Sequence, residues 1–585
     1  MTFGESGLLF RQARDTLLRH REDLEAARRE FTWPRPKTFN WALDWFDPMA
    51  RGNHRTALRV VGEGADTELT FSQVSRRSDR VANWLRGHGV RRGDPVLVVL
   101  DNRPALWETV LAAIKLGAVV VPTYSTATPA ELADRLTRAR VRHVVAEASL
   151  APRFEGLPGR WSRIAVGGAP QGWSDYRDAS AAPADFRPDA DTPATDPLFC
   201  YFTSGTTSLP KMVVHTHLSY PVGHLSGMYW NGLRPGDVHL NISAPGWAKH
   251  AWSSFFVPWN AEAQIVALPA ERSAPQHVLE VLASRGVTTF CAPPSVWRAL
   301  TRHGIGPRPP ELREATSAGE PLDPQVFAEV ADAWGIEIRD GYGQTETTGQ
   351  IGTPPGRPVV PGRMGWALPG YRPVVLHPET LAPVPPGEAG ELCIDLSDSP
   401  AGVMAGYDGD ERRTAVAFAG GHYHTGDLVV AEEDGGFRYL GRADDMFKSF
   451  DHRISPLELE RVLLAHPAVA DAAVVPHPHP VGQWVAKAFV VPVESRSGDG
   501  DTAAEVFDHL DRELPPEKRV HLITFTDRLP RTVSGKVRRV ELRERTGTAD
   551  FHRDGPAAPV EPVAPVEPAA SAESAESAAP AAVAR

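Results

Sequence analysis

The sequence predicts a two-part α/β and α+β chain, with a large N-terminal domain of mainly parallel sheets covered by helices and then a small α+β domain. Three observations carry this. Val-rich runs at 96–100, 118–121 and 141–146 alternate with amphipathic helical stretches, the pattern of strands buried on both faces. Beyond Arg442 that rhythm gives way to a capped helix, two strands and one further helix. The 585 residues, 42% hydrophobic and 23% charged, suffice for several domains with a sizeable core. The expected boundaries are an N-terminal amphipathic helix over 1–34, the large domain over 35–442, the small domain over 443–548 and a disordered Pro/Ala-rich tail over 549–585.

Taken in order, charged and apolar residues alternate from Met1 to Arg28, which predicts an amphipathic helix rather than a signal peptide. Phe39, Trp41, Trp45 and Phe46 would anchor that segment onto the larger body. Ser72 reads as an N-cap, with Val74, Val81, Ala82 and Leu85 on one helical face and Gly87 near the stop. A helix over 105–115 stops at Gly117, and Thr128 to Glu131 form a capping box that opens another. His215 and His217 share a strand face, yet no third ligand has metal-site spacing. Gly246 to His250 with Trp252, Phe255, Phe256 and Trp259 read as core more than as a pocket wall. Ser455 to Glu458 form a second capping box, and Leu459, Val462 and Leu463 give its helix an apolar face. Strands at 469–475 and 486–493 and a helix at 503–513 complete the small domain. From about Asp550 the chain is mostly Ala, Pro, Glu, Ser and Val, without aromatics after Phe551, which predicts disorder.

A net charge of -11 and a pI near 6.0 give no general basic field, so nucleic acid is excluded as the main partner. No stretch is apolar enough to span a membrane. Cys200, Cys291 and Cys393 are scattered and odd in number, which argues for free thiols in a reducing, cytoplasmic setting. The oligomeric state is left open.

The clearest chemistry lies in Tyr201 to Lys211. Thr203, Ser204, Thr206 and Thr207 offer hydroxyls, Gly205 permits unusual backbone angles, and Lys211 adds charge, a combination suited to phosphate. Pro210 and Met212 flank the lysine, so this is not the Walker pattern. The Ser208-x-x-Lys211 match to penicillin-binding enzymes lacks both companion motifs. In isolation an ordinary solvated Ser/Thr turn is an equal reading. Two more polar Gly loops follow, Thr316 to Pro321 and Asp340 to Thr347, and Glu346 suits a Mg²⁺ held by one carboxylate and bound phosphates. Tyr423 to Asp427 and Gly441 to Asp445 bracket a hairpin turning at 434–436, where Asp427 would receive ribose hydroxyls. Leu529 to Lys536 sets a single lysine on an exposed turn.

Taken together and in this order, the motifs Thr203 to Lys211, Gly341 to Thr347, Tyr423 to Asp427, Gly441 to Asp445 and Leu529 to Lys536 resemble those of the adenylate-forming superfamily. Over roughly residues 35–545 the chain is similar to AMP-forming acyl-CoA synthetases, nearest the acetyl and medium-chain branches. The resemblance implies a mobile small domain and a two-step reaction: ATP and a small-molecule carboxylic acid give acyl-AMP and pyrophosphate, then CoA displaces AMP. By that resemblance Thr203, Ser204, Thr206, Thr207 and Lys211 embrace the β- and γ-phosphates. Gly319, Glu320, Pro321 and Tyr342 hold adenine, Gln344 and Thr345 reach the α-phosphate, and Glu346 holds Mg²⁺. Asp427 and Arg442 bind ribose, and Asp444 is the hinge. Lys536 bridges carboxylate and α-phosphate, and Arg453 neutralises phosphate in one domain orientation. Such residues fit a reaction in which an anion attacks a phosphate, because the catalyst must position groups and spread charge.

Two positions depart from the family pattern. Ser208 stands where a second Gly is usual in the phosphate loop. Asp451, in Phe450-Asp451-His452-Arg453, stands where many relatives have Gly lining the acceptor tunnel, which places the CoA half-reaction in question. Acetate-specific relatives carry a bulky Trp where this chain has Gly343, so the acyl pocket, with Trp247 in its wall, should take medium-chain or aryl acids. The rival readings are an adenylating enzyme with an amine or carrier-protein acceptor, one that activates nitrite, and an ATP-binding scaffold without turnover.

Overall fold

The computed structural model describes residues 3–203, 209–450, 452–479, 482–531, 537–545 and 550–553. An eight-stranded sheet occupies one half of the large domain. Its centre is parallel: Pro95–Val99 lies between Val119–Pro122 and His143–Glu147, with Val96 opposite both Val120 and His143. These strands are apolar on both faces because helices cover both. Pro197–Thr203 joins alongside Val119–Pro122, then turns back antiparallel through Lys211–Thr216, which sets Thr203 directly opposite Lys211.

A thirteen-stranded sheet forms the other half. Thr56–Val60, Gln264–Ala267, Val238–Asn241, Thr289–Ala292, Glu314–Ala318 and Ile338–Gln344 run parallel. Past Gln344 the pairing becomes antiparallel, through Thr348–Gly352, Gly365–Ala367, Gly436–Arg442, His422–Ala431, Ala389–Asp395 and Pro373–Leu376. The small domain has its own six-stranded sheet, in which Val469–His479 and Gln483–Pro492 form the long hairpin.

Four local expectations need correction. The N-terminal segment is two helices, Glu5–Arg19 and Leu24–Glu30, because the Asp23 side chain caps the second by accepting from Ala26 N–H. The cap expected at Ser72 belongs to Thr70, whose hydroxyl accepts from Gln73 N–H while Gln73 Oε1 accepts from Thr70 N–H. At Ser455 one half of the box forms, since the Glu458 carboxylate accepts instead from Lys518, at 2.6 Å. Finally, Asp550–His552, expected in the tail, form an edge strand on Val520–Phe525. The physical reason is charge: the buried Lys487 ammonium meets Asp550 at 2.8 Å. Residues 554–585 lie outside the described ones.

The capping box at Thr128 forms as expected, and Gly117 closes the helix Pro104–Leu116 in the left-handed region at φ 68°. Thr70→Ala is expected to lower stability by about 1 kcal/mol and Ser72→Ala by much less, as read from urea midpoints. The aromatic expectation also holds: Trp41 and Trp45 are buried, and their indole N–H groups donate to Asn260 Oδ1 and the Trp259 carbonyl. Among the described residues no helix is long and apolar enough to cross a membrane.

Candidate active site

The hairpin Pro197–Thr203 and Lys211–Thr216 presents a hydroxyl and an ammonium side by side at its open end. Thr203 Oγ1 is buried and has no hydrogen-bond partner among the described residues, an arrangement that suits a ligand oxygen. The Lys211 ammonium lies 5.2 Å from the centre of the Tyr407 ring, and the Tyr407 hydroxyl donates to Glu346 Oε1 at 3.1 Å. Burial pulls the Lys211 pKa down, with the Glu346 charge opposing it. A cavity of about 160 Å³ opens beside Lys211 between Pro210, Tyr407 and Arg413. Ser204, Gly205, Thr206 and Thr207, with Ser208, lie outside the described residues.

Asp427 is the hub of the adjoining nucleoside-side cluster. It accepts from the Tyr342 hydroxyl, from Gln344 Nε2 at 2.6 Å and from the Tyr439 hydroxyl at 2.9 Å. The hairpin register puts Arg442 directly across from it, with Nη1 at 3.4 Å from Oδ1 and also donating to the Thr425 carbonyl at 2.9 Å. Arg442 Nε donates to Asp444 Oδ1 at 3.2 Å, so the expected ribose and hinge residues are physically joined. Tyr342, expected against adenine, gives its hydroxyl to Asp427. Gln344, expected toward the α-phosphate, is spent on Asp427, on the Thr425 carbonyl and on the Tyr423 hydroxyl, which donates to its Oε1. The Thr345 carbonyl receives His215 Nε2 at 2.6 Å.

The strand Glu314–Ala318 ends at Gly319, whose φ of 115° and open surroundings leave its backbone accessible. Next to it, Glu320 faces Arg298 at 3.6 Å and Arg531 of the small domain at 4.0 Å, and Pro321 follows. Lys249 Nζ donates to the Ala318 carbonyl at 3.1 Å, tying the Trp247-bearing segment to this loop.

Gly343, expected to enlarge the acyl pocket, also packs closely on the neighbouring strand. A Cβ there would lie 2.0 Å from the Thr348 carbonyl oxygen, so any side chain collides with the neighbouring strand. The buried Trp230 indole likewise accounts for two neighbouring glycines: a Cβ on Gly341 or Gly352 would lie 2.4 or 2.5 Å from it. Trp252 packs on Trp230 with ring centres 5.7 Å apart.

Arg531 pairs as an isolated bridge with Val537 and reaches Asp471 at 2.6 Å, and Arg302 donates to the Ala470 carbonyl, so the small domain is seated against the loop that carries Gly319 and Glu320. Lys536 and Asp451 lie outside the described residues. Phe450 and Arg453 are exposed on the small domain and are not brought to the nucleotide cluster by any described contact. Phe450 instead has a left-handed φ of 46° and packs near His479 and His521, with ring centres 5.2 and 6.0 Å away.

His215 and His217 are buried core imidazoles, held at pKa values of about 4 by burial. His239, between Thr289 Oγ1 and Ser253 Oγ, is lowered further, to about 3. A group charged in the unfolded chain and neutral in the fold withdraws stability as pH falls from its unfolded value of 6.5 toward 3. His239→Gln should therefore flatten the fall of the urea midpoint in that window, by about 1.4 kcal/mol per pH unit.

Tyr407, Tyr439, Arg531, Trp230 and Lys249 are the site residues that sequence reasoning passed over. Tyr439 carried a signal, since it stands in the strand leading to Arg442, and Lys249 and Arg531 lie inside stretches already singled out; Tyr407 and Trp230 are joined to the site by long-range contacts alone. The AMP-binding enzyme family model matches residues 46–408, and the AMP-binding enzyme C-terminal domain matches 458–536. The chain is 38% identical over 518 residues to 4-hydroxybutyrate--CoA ligase 1 of Metallosphaera sedula, covering 87% of this chain and 91% of that one. It is 32% identical over 560 residues to the mitochondrial acyl-coenzyme A synthetase ACSM3 of Rattus norvegicus, covering 92% and 96%. Among solved structures, an anthranilate CoA ligase in complex with anthranoyl-AMP superposes with a TM-score of 0.79 at 27% identity, covering 87% and 97%. A benzoate CoA ligase from Burkholderia xenovorans LB400 gives 0.75 at 27%, covering 86% and 100%.

Proposed function

This chain belongs to the AMP-binding enzymes as an AMP-forming acyl-CoA synthetase, and from that premise we propose that its acid is medium-chain or aryl and larger than acetate. The enzyme joins a carboxylic acid to AMP with release of pyrophosphate and passes the acyl group to CoA. The observation that carries the residue-level reading is the joining of the Thr203, Lys211, Tyr407 and Glu346 group and the Asp427, Gln344 and Arg442 group through Gln344 and Glu346, two residues apart at the end of the strand Ile338–Gln344. The first group has the charge for the triphosphate, and the second has acceptors for ribose once Asp427 exchanges a protein donor for a hydroxyl.

Glu346 fits Mg²⁺, because it is a hard oxygen donor with one described hydrogen bond to its carboxylate and an orphaned Thr203 hydroxyl nearby in the hairpin. The ion, when bound, neutralises phosphate charge. Lys211 and Thr203 orient the phosphate chain, Glu320 and Gly319 border the base, and Arg531 brings the small domain onto the same loop. Lys536 would then supply charge to the carboxylate and the α-phosphate during their approach.

The acid class is supported by the substrates named for the relatives, 4-hydroxybutyrate, anthranilate and benzoate. Pyrophosphate release and thioester formation, measured over acetate, hexanoate, 4-hydroxybutyrate and benzoate with and without CoA, test it. The expected result is CoA-dependent thioester from a larger acid, with kcat/KM for acetate about tenfold or more lower. Acetate as the best acid would overturn the acid class; adenylation without any thioester would overturn CoA as the acceptor.

A further inference from the structure

On the far side of the Tyr423 to Asp427 stretch, three side chains converge that acid activation does not use. The strands Ala389–Asp395 and His422–Ala431 pair antiparallel, with Cys393 directly across from His424. An irregularity in register between Glu391 and Cys393 re-aims the strand there, and Glu391 and Cys393, two residues apart, both reach the same imidazole. Glu391 Oε2 lies 3.0 Å and Cys393 Sγ 3.4 Å from His424 Nδ1. One ligand atom from each residue falls within 4.8 Å of the others.

We propose that Glu391, Cys393 and His424 form a three-ligand site for a soft divalent cation of the Zn²⁺ class. Metal bonds of about 2.0 Å to N or O and about 2.3 Å to S at a tetrahedral centre imply ligand separations of roughly 3.3 to 3.6 Å, and the two measured edges are already near that. Thiol and imidazole donors select Zn²⁺ over the Mg²⁺ that suits Glu346. The other Glu391 oxygen accepts from Gly426 N–H at 3.0 Å, which fixes the carboxylate so that one oxygen faces the site.

The hydrogen bonding of this group is poorly resolved without a cation. His424 Nε2 is buried with no partner among the described residues. A proton on Nδ1 satisfies Glu391 but leaves Nε2 as a bare buried acceptor; a proton on Nε2 turns the Nδ1 lone pair onto the carboxylate. A cation removes the conflict at Nδ1, accepting its lone pair and the carboxylate together; the proton stays on Nε2, which is without a partner among the described residues in either state. Burial, with the Glu391 charge adding, pushes the Cys393 thiol well above its usual range, so the metal-free group is a thiol. On binding, the S–H bond breaks, its electron pair passes to the metal and its proton to solvent. Three protein ligands leave a fourth position open. Because Gly426 also accepts Ala443 N–H on its carbonyl, the cation would fasten the segment that carries Asp427 to the start of the hinge.

The test uses the full chain, chelator-treated, with Co²⁺ as the probe. In a Cys200→Ser, Cys291→Ser background Cys393 is the sole thiol, so a thiolate-to-cobalt charge-transfer band reports that residue alone. The expected result is a band saturating at one equivalent, erased by Zn²⁺ and absent after Cys393→Ser. Glu391→Gln keeps an acceptor for Gly426 N–H and removes the charge; it should weaken Co²⁺ binding about tenfold or more with the circular dichroism unchanged. No band at several equivalents, a band that survives Cys393→Ser, or equal affinity in folded Glu391→Gln would each overturn the site. Because the readout is cobalt binding rather than turnover, it is independent of which acid the enzyme uses.

Discussion

Lys536→Ala should slow pyrophosphate release by about 10²- to 10³-fold while leaving thioester formation from supplied acyl-adenylate and CoA within a few-fold of the parent. A carboxylate approaching the α-phosphate brings two anions together, and a single ammonium between them stabilises the transition state more than the separated reactants. The structure supports the direction of approach from the residues that flank this turn. Arg531 lies 4.0 Å from Glu320 on the adenine loop and is locked to Asp471 at 2.6 Å, so this end of the small domain faces the nucleotide side. On the proposed reading the second half-reaction would use another face, and Phe450 and Arg453 stand exposed on the small domain. The two half-reactions must therefore separate in this variant. Equal loss in both would point to a folding defect, and unchanged pyrophosphate release would remove Lys536 from the adenylation step.

The fold and much of the site were legible because their signals are local. A Gly at a helix end, a hydroxyl three residues before a Glu, and Val-rich runs between amphipathic stretches each report a short-range physical demand, and Gly117, Thr128 and the strands around Val96 answer them. The hairpin bracketed by Tyr423 and Asp445 was equally local, and its register delivers Asp427 to Arg442. Thr70 was also within reach: Gln73 stands three residues on, whereas Ser72 has no such partner at Ser75. What could not be read depends on partners distant in sequence. Nothing near Gly343 indicates that its missing Cβ points at a carbonyl oxygen, or that Trp230, over a hundred residues earlier, covers Gly341. The strand Asp550–His552 is too short to carry a pattern, and its partners Lys487 and Phe525 are distant in sequence. Roles read by resemblance, such as those of Gln344 and Tyr342, describe a ligand-bound arrangement; in the protein alone both side chains turn to Asp427.

That convergence makes Asp427→Asn the sharper test of the nucleoside half of the site. The carboxylate is 3% exposed and receives Tyr342, Gln344, Tyr439 and Arg442, all donors, so it must be an acceptor on both oxygens. An asparagine of the same shape turns one oxygen into an NH₂ facing donors and removes the charge opposite Arg442. Arg442 keeps Asp444 and partial solvent contact, so the stability loss should stay at about 1–3 kcal/mol rather than the larger figure for a fully buried pair. Binding should suffer more. Two ribose hydroxyls on a carboxylate are charge-assisted hydrogen bonds, and losing them raises the ATP KM by about 10- to 100-fold. Tyr439→Phe provides the control, since it withdraws one donor but leaves the carboxylate, and its ATP KM should move by less than about tenfold. Pyrophosphate release against ATP concentration, with melting curves on the same samples, separates the outcomes. A folded Asp427→Asn enzyme with the parent's ATP KM would show that Asp427 only braces the hairpin, and ribose would have to be held elsewhere.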